Sequence, residues 1–163
     1  MPKLVKDGVV TNDAWHLLRD VDDATQLQQA NIIVPSAYWL SAQPQLATRT
    51  DVGIWLNGDD DLSPYAETIH GFPIIAIHFP VFMDGRGFST GRLLRERFQF
   101  TGELRAVGNF IRDQLTYLRR CGFSAFSFDD GVDVDAVVKS LTDFTEYYQA
   151  SVDQPLPLFR RRG

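Results

Sequence analysis

The chain has 163 residues, of which 44% are hydrophobic and 12% aromatic, and it carries a net charge of −5. That composition excludes a disordered chain and suffices for a proper core, while the acidic balance excludes bulk attraction to nucleic acid or to an anionic membrane. The single cysteine, Cys121, excludes an internal disulfide and any paired-cysteine metal or redox site, and reads as a small buried thiol.

Lys3 to Asn12 holds two β-rich runs around Asp7-Gly8, a strong hairpin signal. No apolar h-region follows Lys3, Lys6 and Asp7, so no secretory signal is read and a cytoplasmic location is expected. Asp20 to Asp23 reads as a turn and Asn31 to Pro35 as a short strand. Ser36 is expected to cap a helix from Ala37 to about Leu46, bent at Pro44.

From Val52 onward the rhythm changes to strand–helix alternation. Val52 to Leu56, Ile74 to Phe79, Glu103 to Val107 and Ala125 to Phe128 read as buried strands. Between them, helices are expected over Ser63 to His70, Thr90 to Gln99, and from an Asn109 cap to Arg120, where Gly122 stops the last. A final helix opens at Asp133, with Val134, Val137, Val138, Leu141, Phe144 and Tyr148 on one face. Residues 151–163, with Arg160 to Arg162, read as a flexible basic tail.

The expected fold is therefore α/β. Successive βα units form a parallel sheet or a partial (half) β/α barrel, with a small N-terminal hairpin and helical attachment. Residues 1–150 form one domain, with 1–50 as the attachment and 51–150 as the βα core. No apolar run is long enough to span a bilayer.

In such folds the ligand site lies at the carboxyl ends of the strands. The loops expected there are 57–61, 80–89, 108–109 and 129–130. The most informative is Asp84-Gly85-Arg86-Gly87-Phe88-Ser89. Its glycines let the backbone approach a ligand, Ser89 caps the following helix, and Arg86 adds a forked, permanent positive charge. Asn109 and Arg112 reach the same rim from the next unit.

Residues 84–120 carry eight Arg, no Lys and four acids, a net +4 inside a chain of −5. Most of those Arg read as solvated or paired, but the segment favours carboxylate, phosphate or sulfate as a partner. Asp84, Gly85, Arg86, Gly87, Ser89, Asn109 and Arg112 are the expected anion-binding residues. Asp59 to Asp61, Asp129 and Asp130 read as turn and cap chemistry rather than a metal site. His78 reads as a satisfied core histidine. No nucleophile elbow, Walker loop, dinucleotide fingerprint or zinc motif is present, and no cofactor is expected.

The run from Asp84 to Ser89, then Arg92-Leu-Leu-Arg-Glu-Arg97, Gly102-Glu-Leu-Arg-Ala-Val-Gly108, Arg112-Asp-Gln-Leu115 and Arg120-Cys-Gly-Phe123, resembles the bacterial domain-of-unknown-function 934 family. Its members often carry the label of an oxidoreductase of sulfite reduction. The resemblance implies an accessory protein of assimilatory sulfite reduction that binds a sulfite reductase component. The alternative from the residues is a small anion-binding enzyme or sensor, acting on a phosphorylated or sulfur-oxyanion ligand at the rim. No flavin, nicotinamide, haem or iron–sulfur signature supports the oxidoreductase label. Self-association is expected from the apolar trio Tyr38, Trp39 and Leu40.

Overall fold

The computed structural model describes residues 3–128, apart from 8, 23, 43–45, 47, 80–84 and 109–111. The expected helix from Asp133, the basic tail, Pro44, Asp84, Asn109, Asp129 and Asp130 lie outside the described residues.

Eight strands form one sheet: β1 (Lys3–Lys6), β2 (Val9–Asn12), β3 (His16–Leu17), β4 (Ile32–Pro35), β5 (Val52–Asn57), β6 (Ile74–Phe79), β7 (Glu103–Gly108) and β8 (Ala125–Phe128). Helices α1 (Ser36–Ser41), α2 (Gly85–Glu96) and α3 (Arg112–Arg120) accompany it among the described residues. The spatial order is β2-β1-β8-β7-β6-β5-β4-β3. Strands β3 to β8 are parallel and stand in chain order, as successive βα units require. The sheet is nevertheless mixed. The β1–β2 hairpin, turned by Asp7-Gly8 with Asp7 at φ +53°, docks antiparallel on the free edge of β8. The N-terminal hairpin thus belongs to the same sheet as the βα units.

The two edge strands are joined by only three residues, Asp13 to Trp15. In a flat sheet, eight strands spaced ~4.8 Å apart would hold β2 and β3 roughly 34 Å from each other. The four steps from Asn12 to His16 reach about 14 Å at most. The sheet must therefore curl, and it forms an open half-barrel whose edges approach.

The curl gives every strand two distinct faces. Ile32, Val34, Ile54, Leu56, Ile75, Ile77, Leu104, Ala106 and Phe126 point outward into the main core, joined by Trp39 of α1, Leu94 of α2, and Leu115 and Leu118 of α3. The alternate residues Ile33, Ile74, Ala76 and Val107 line the concave face with Trp15, Leu17 and Trp55. Near-continuous apolar strands follow from having both faces covered.

An ionic cluster sits on the same concave face. Arg105 of β7 is 2% exposed, and its Nη1 donates to Asp13 Oδ2 at 2.9 Å. Its Nε donates to Glu103 Oε2 at 2.9 Å, and Lys6 Nζ stands 3.1 Å from Glu103 Oε1. Two cations and two carboxylates cancel, so the cluster buries no net charge. Asp13 belongs to the connector, so this bond pins the connector inside the curl.

Three elements differ from the sequence reading. Ser36 is the first residue of α1, whose cap position is Pro35, so it is not the cap; α1 spans Ser36–Ser41, and Leu46 beyond it is again helical. Ser63–Tyr65 and Ile69–Gly71 are two single 3₁₀ turns instead of one helix. Trp39 is buried against Phe72, with ring centroids 4.9 Å apart, so the core takes it away from the expected association patch.

At the opposite end of the strands Arg49 clamps the chain before β4. It donates to the carbonyls of Leu27 and Gln29 and, at 2.9 Å, to Asp51. The Arg49 guanidinium, aided by the Asn31 N–H, lowers the Asp51 carboxyl to about 2. A carboxyl lowered by folding stabilises above its ordinary value of 3.8, and that contribution fades as pH falls toward 2.

Two outcomes follow. Arg105→Ala leaves buried Asp13 without its cation and Glu103 with only the half-exposed Lys6, and should lower stability by about 3–5 kcal/mol in urea unfolding, far beyond the loss in Lys6→Ala. The stability gap between the native protein and Asp51→Asn should be full at pH 6 and shrink between pH 4 and 2, as read by urea unfolding at each pH.

Candidate functional site

Parallel register brings the carboxyl ends of β4 to β8 to one rim. Pro35 pairs with Trp55, Asn57 with His78, Phe79 with Gly108, and Gly108 with Phe128. Loop 57–61 leaves from this rim. The chain also leaves β6, β7 and β8 there, into segments that hold the other expected loops.

Around β6 and β7 the strand ends touch. A Cβ on Gly108 would stand 2.1 Å from the Phe79 carbonyl oxygen, and Gly108 has φ +135°. Only glycine suits that position. Helices α2 and α3 start six and four residues beyond these paired ends. Arg86 is the second residue of α2 and Arg112 the first of α3, so both begin their helices at the same rim. The two helices are neighbours: Phe88 of α2 meets Tyr117 of α3 edge to face, with centroids 4.7 Å apart.

Ser89 is exposed and lies inside α2, because the helix begins at Gly85 rather than Thr90. It is therefore not the cap. Gly87 is buried, and a Cβ there would fall 2.3 Å from the Phe79 ring. Gly91, one turn on, meets Phe123 in the same way at 2.4 Å. These two glycines lower α2 onto two core aromatics. Asp84 and Asn109 fall in the segments outside the described residues. Of the seven expected site residues, the fold thus brings Gly85, Arg86, Gly87, Ser89 and Arg112 to neighbouring helix starts.

The acidic turn after β5 behaves as turn chemistry. Asp60 Oδ2 accepts the Asn57 N–H at 2.8 Å, and Asp61 Oδ1 accepts both the N–H and the hydroxyl of Ser63. Those two donors hold the Asp61 carboxyl below its ordinary range. Thr90 of α2 donates to the Gly58 carbonyl at 2.8 Å and ties this turn to the helix after β6. Among the described residues no group of three His, Cys, Asp or Glu side chains could hold a metal.

The alternation of β6 carries a signal that the composition of the strand hides. Ile75, Ile77 and Phe79 face the helices, so His78 faces the concave side at the mouth. It is half-buried, edge-on to Trp55 at 6.1 Å between centroids, and level with Asn57 on one side and Val107 and Ser127 on the other. His78 is thus a mouth residue rather than a buried core histidine. Trp55 is fixed beside it by an indole N–H donated to the Leu18 carbonyl at 2.9 Å. Cys121 is fully buried, and burial pushes its thiol up, so it offers no thiolate at neutral pH.

A match to the family described as "Bacterial protein of unknown function (DUF934)" covers residues 53–159. The chain belongs to this family. The match begins within β5 and takes in the strands, helices and loops that build the β6–β7 rim. No curated protein matches the chain. Among the described residues no helix is long and apolar enough to cross a membrane.

The contact between α2 and β6 gives a test with a definite sign. Glycine to alanine inside a helix ordinarily gains about 0.5–1 kcal/mol. Gly87→Ala should instead lose about 1–3 kcal/mol by overpacking Phe79, and Phe79→Leu in the same chain should recover part of that loss. Gly71→Ala, where nothing lies within 4 Å of the added carbon, should be neutral or slightly stabilising. Thermal unfolding of the three variants reads all of these signs.

Proposed function

We propose that the protein binds a small oxyanion, a phosphorylated or sulfur-oxyanion ligand, at the rim where β6 and β7 end. The observation that supports this is the in-register pair Phe79 and Gly108, from which two neighbouring helices start almost at once. Each helix start leaves N–H groups without helical acceptors and carries the positive end of a helix dipole. Each also has an arginine in its first turn. Two such ends side by side suit a compact, multiply charged anion better than one end alone.

In this reading Arg86 and Arg112 pair with the oxyanion and the amides from Gly85 to Gly87 approach it. Ser89 and Asn109 add neutral donors, and Asp84 shapes the loop or takes a proton. The bond made is binding; no reaction is assigned to it. The resemblance to a family labelled with sulfite reduction narrows the anion toward sulfite or sulfate. It also favours an accessory role beside a sulfite reductase component, which would meet the protein near the same rim.

Titration of the isotope-labelled protein with sulfite, sulfate and phosphate should move the amide signals of residues 85–89 and 112–114 with saturation. Arg86→Ala should weaken binding by roughly tenfold or more, the scale of one charge-assisted pair, and Arg112→Ala should act likewise. Binding unchanged in both variants would remove the site.

A further inference from the structure

The concave face changes character at its mouth. Strand register sets Asn57, His78, Val107, Ser127, Leu4 and Thr11 in one row across β5, β6, β7, β8, β1 and β2. This row alternates with the helix-facing residues, so it looks into the curl from the carboxyl ends of the parallel strands. It contains four polar side chains and no Asp, Glu, Lys or Arg. Asn57 is exposed, and His78 and Ser127 are half-buried, so all three can be reached from outside.

The surroundings narrow what such a row can hold. One row below, Arg105 and Lys6 are paired with Asp13 and Glu103, so no free counter-ion stands under the mouth. An amide, an imidazole and a hydroxyl each both donate and accept hydrogen bonds, which is also the character of an organic hydroxyl group. Trp55 lies one row below Asn57, edge-on to His78, and its indole is fixed by the bond to Leu18. A fixed aromatic ring beside polar groups offers a ready surface for the hydrocarbon side of a ligand. Trp15 packs with Ile33, Ile74 and Val107 and fills the floor, so a ligand must lie across the mouth rather than enter the curl. His78 directly precedes Phe79, whose pairing with Gly108 marks the point beyond which α2 and α3 start. The polar row and the rim are therefore continuous.

We infer that the oxyanion at the β6–β7 rim is the charged end of a hydroxylated organic ester, a sugar phosphate or a sugar sulfate. Its hydroxyls exchange hydrogen bonds with Asn57, His78 and Ser127, and its C–H face rests against Trp55. This inference rests on the anion reading of the rim and adds the class of molecule that carries the anion.

The full chain, labelled with nitrogen-15, is titrated with inorganic phosphate, inorganic sulfate, glucose 6-phosphate, glucose 6-sulfate and butyl phosphate. The rim amides and the tryptophan indole signals are followed together, with Trp55 assigned through Trp55→Phe. A sugar ester should bind roughly tenfold or more tighter than its own inorganic anion, the scale of two or three added hydrogen bonds. It should also move the Trp55 signal saturably. Comparison of the phosphate and sulfate pairs shows which oxyanion the rim prefers. Butyl phosphate, which lacks hydroxyls, should stay within about threefold of inorganic phosphate. The ratio of ester to inorganic affinity should fall roughly threefold or more in His78→Leu and in Ser127→Ala. Arg86→Ala should weaken ester and inorganic ion alike and keep that ratio. Equal affinity for sugar esters and inorganic ions, an equal gain with butyl phosphate, a Trp55 signal unmoved at saturation, or an unchanged ratio in either His78→Leu or Ser127→Ala would overturn this inference and leave the rim site standing. Failure of every probe to bind would remove the rim site, and the ester with it.

Discussion

Three residues between β2 and β3 set the shape of this molecule. Asp13, Ala14 and Trp15 join strands at opposite edges of an eight-stranded sheet, and no extended chain of that length crosses a flat one. The sheet therefore curls until its edges approach, and the connector runs within the concavity. There Asp13 meets Arg105, two strands beyond β1, and Trp15 packs with Ile33, Ile74 and Val107. A neutral ionic cluster and an apolar patch fill the inside of the curl together. A buried arginine with two carboxylates is weak as a source of stability. Here it has a different use, because it fixes where a short strap must cross.

Curling also decides which residues face solvent at the mouth. The described helices α1, α2 and α3 pack on the convex side, so the strands present one set of residues to them and the alternate set to the concavity. Close approach of α2 is set by Gly87 and Gly91 against Phe79 and Phe123. That approach fixes the height at which α2 begins, and Thr90 bonding to Gly58 ties its second turn to the loop after β5. Backbone geometry and core aromatics thus set the height of the rim at α2.

The four strands from Val52 to Phe128 were legible because each is a short apolar run between turn residues, and parallel strands buried on both faces must look that way. The hairpin at Asp7-Gly8 was legible from the turn itself. Its docking on β8 was not, because a pairing between residues more than a hundred apart leaves no local signature. The packing of Gly87 under a phenylalanine stays hidden until Phe79 is placed, and Ser89 caps only a helix that begins after it. His78 shows the converse case. Its position in the alternating run already put it opposite Ile77 and Phe79, and reading the period rather than the residue type places it at the mouth. The Asp60 and Asp61 turn bonds were legible, since both acids sit in a polar run that closes on its own backbone.

Charge is distributed along the rim in the order of the strands. Asp60 and Asp61 follow β5, whereas Arg86 and Arg112 open the helices after β6 and β7. In a sheet wound in chain order, neighbouring loops come from neighbouring strands, so a change of charge along the sequence becomes a change of charge across the mouth. The dipoles of α2 and α3 add positive potential on the second side, while the six-residue α1 adds little on the first. Asn57 and His78 stand at the boundary between the two halves, paired in register on β5 and β6. The acidic turn of this rim thus follows β5, and the helix N-termini follow β6 and β7.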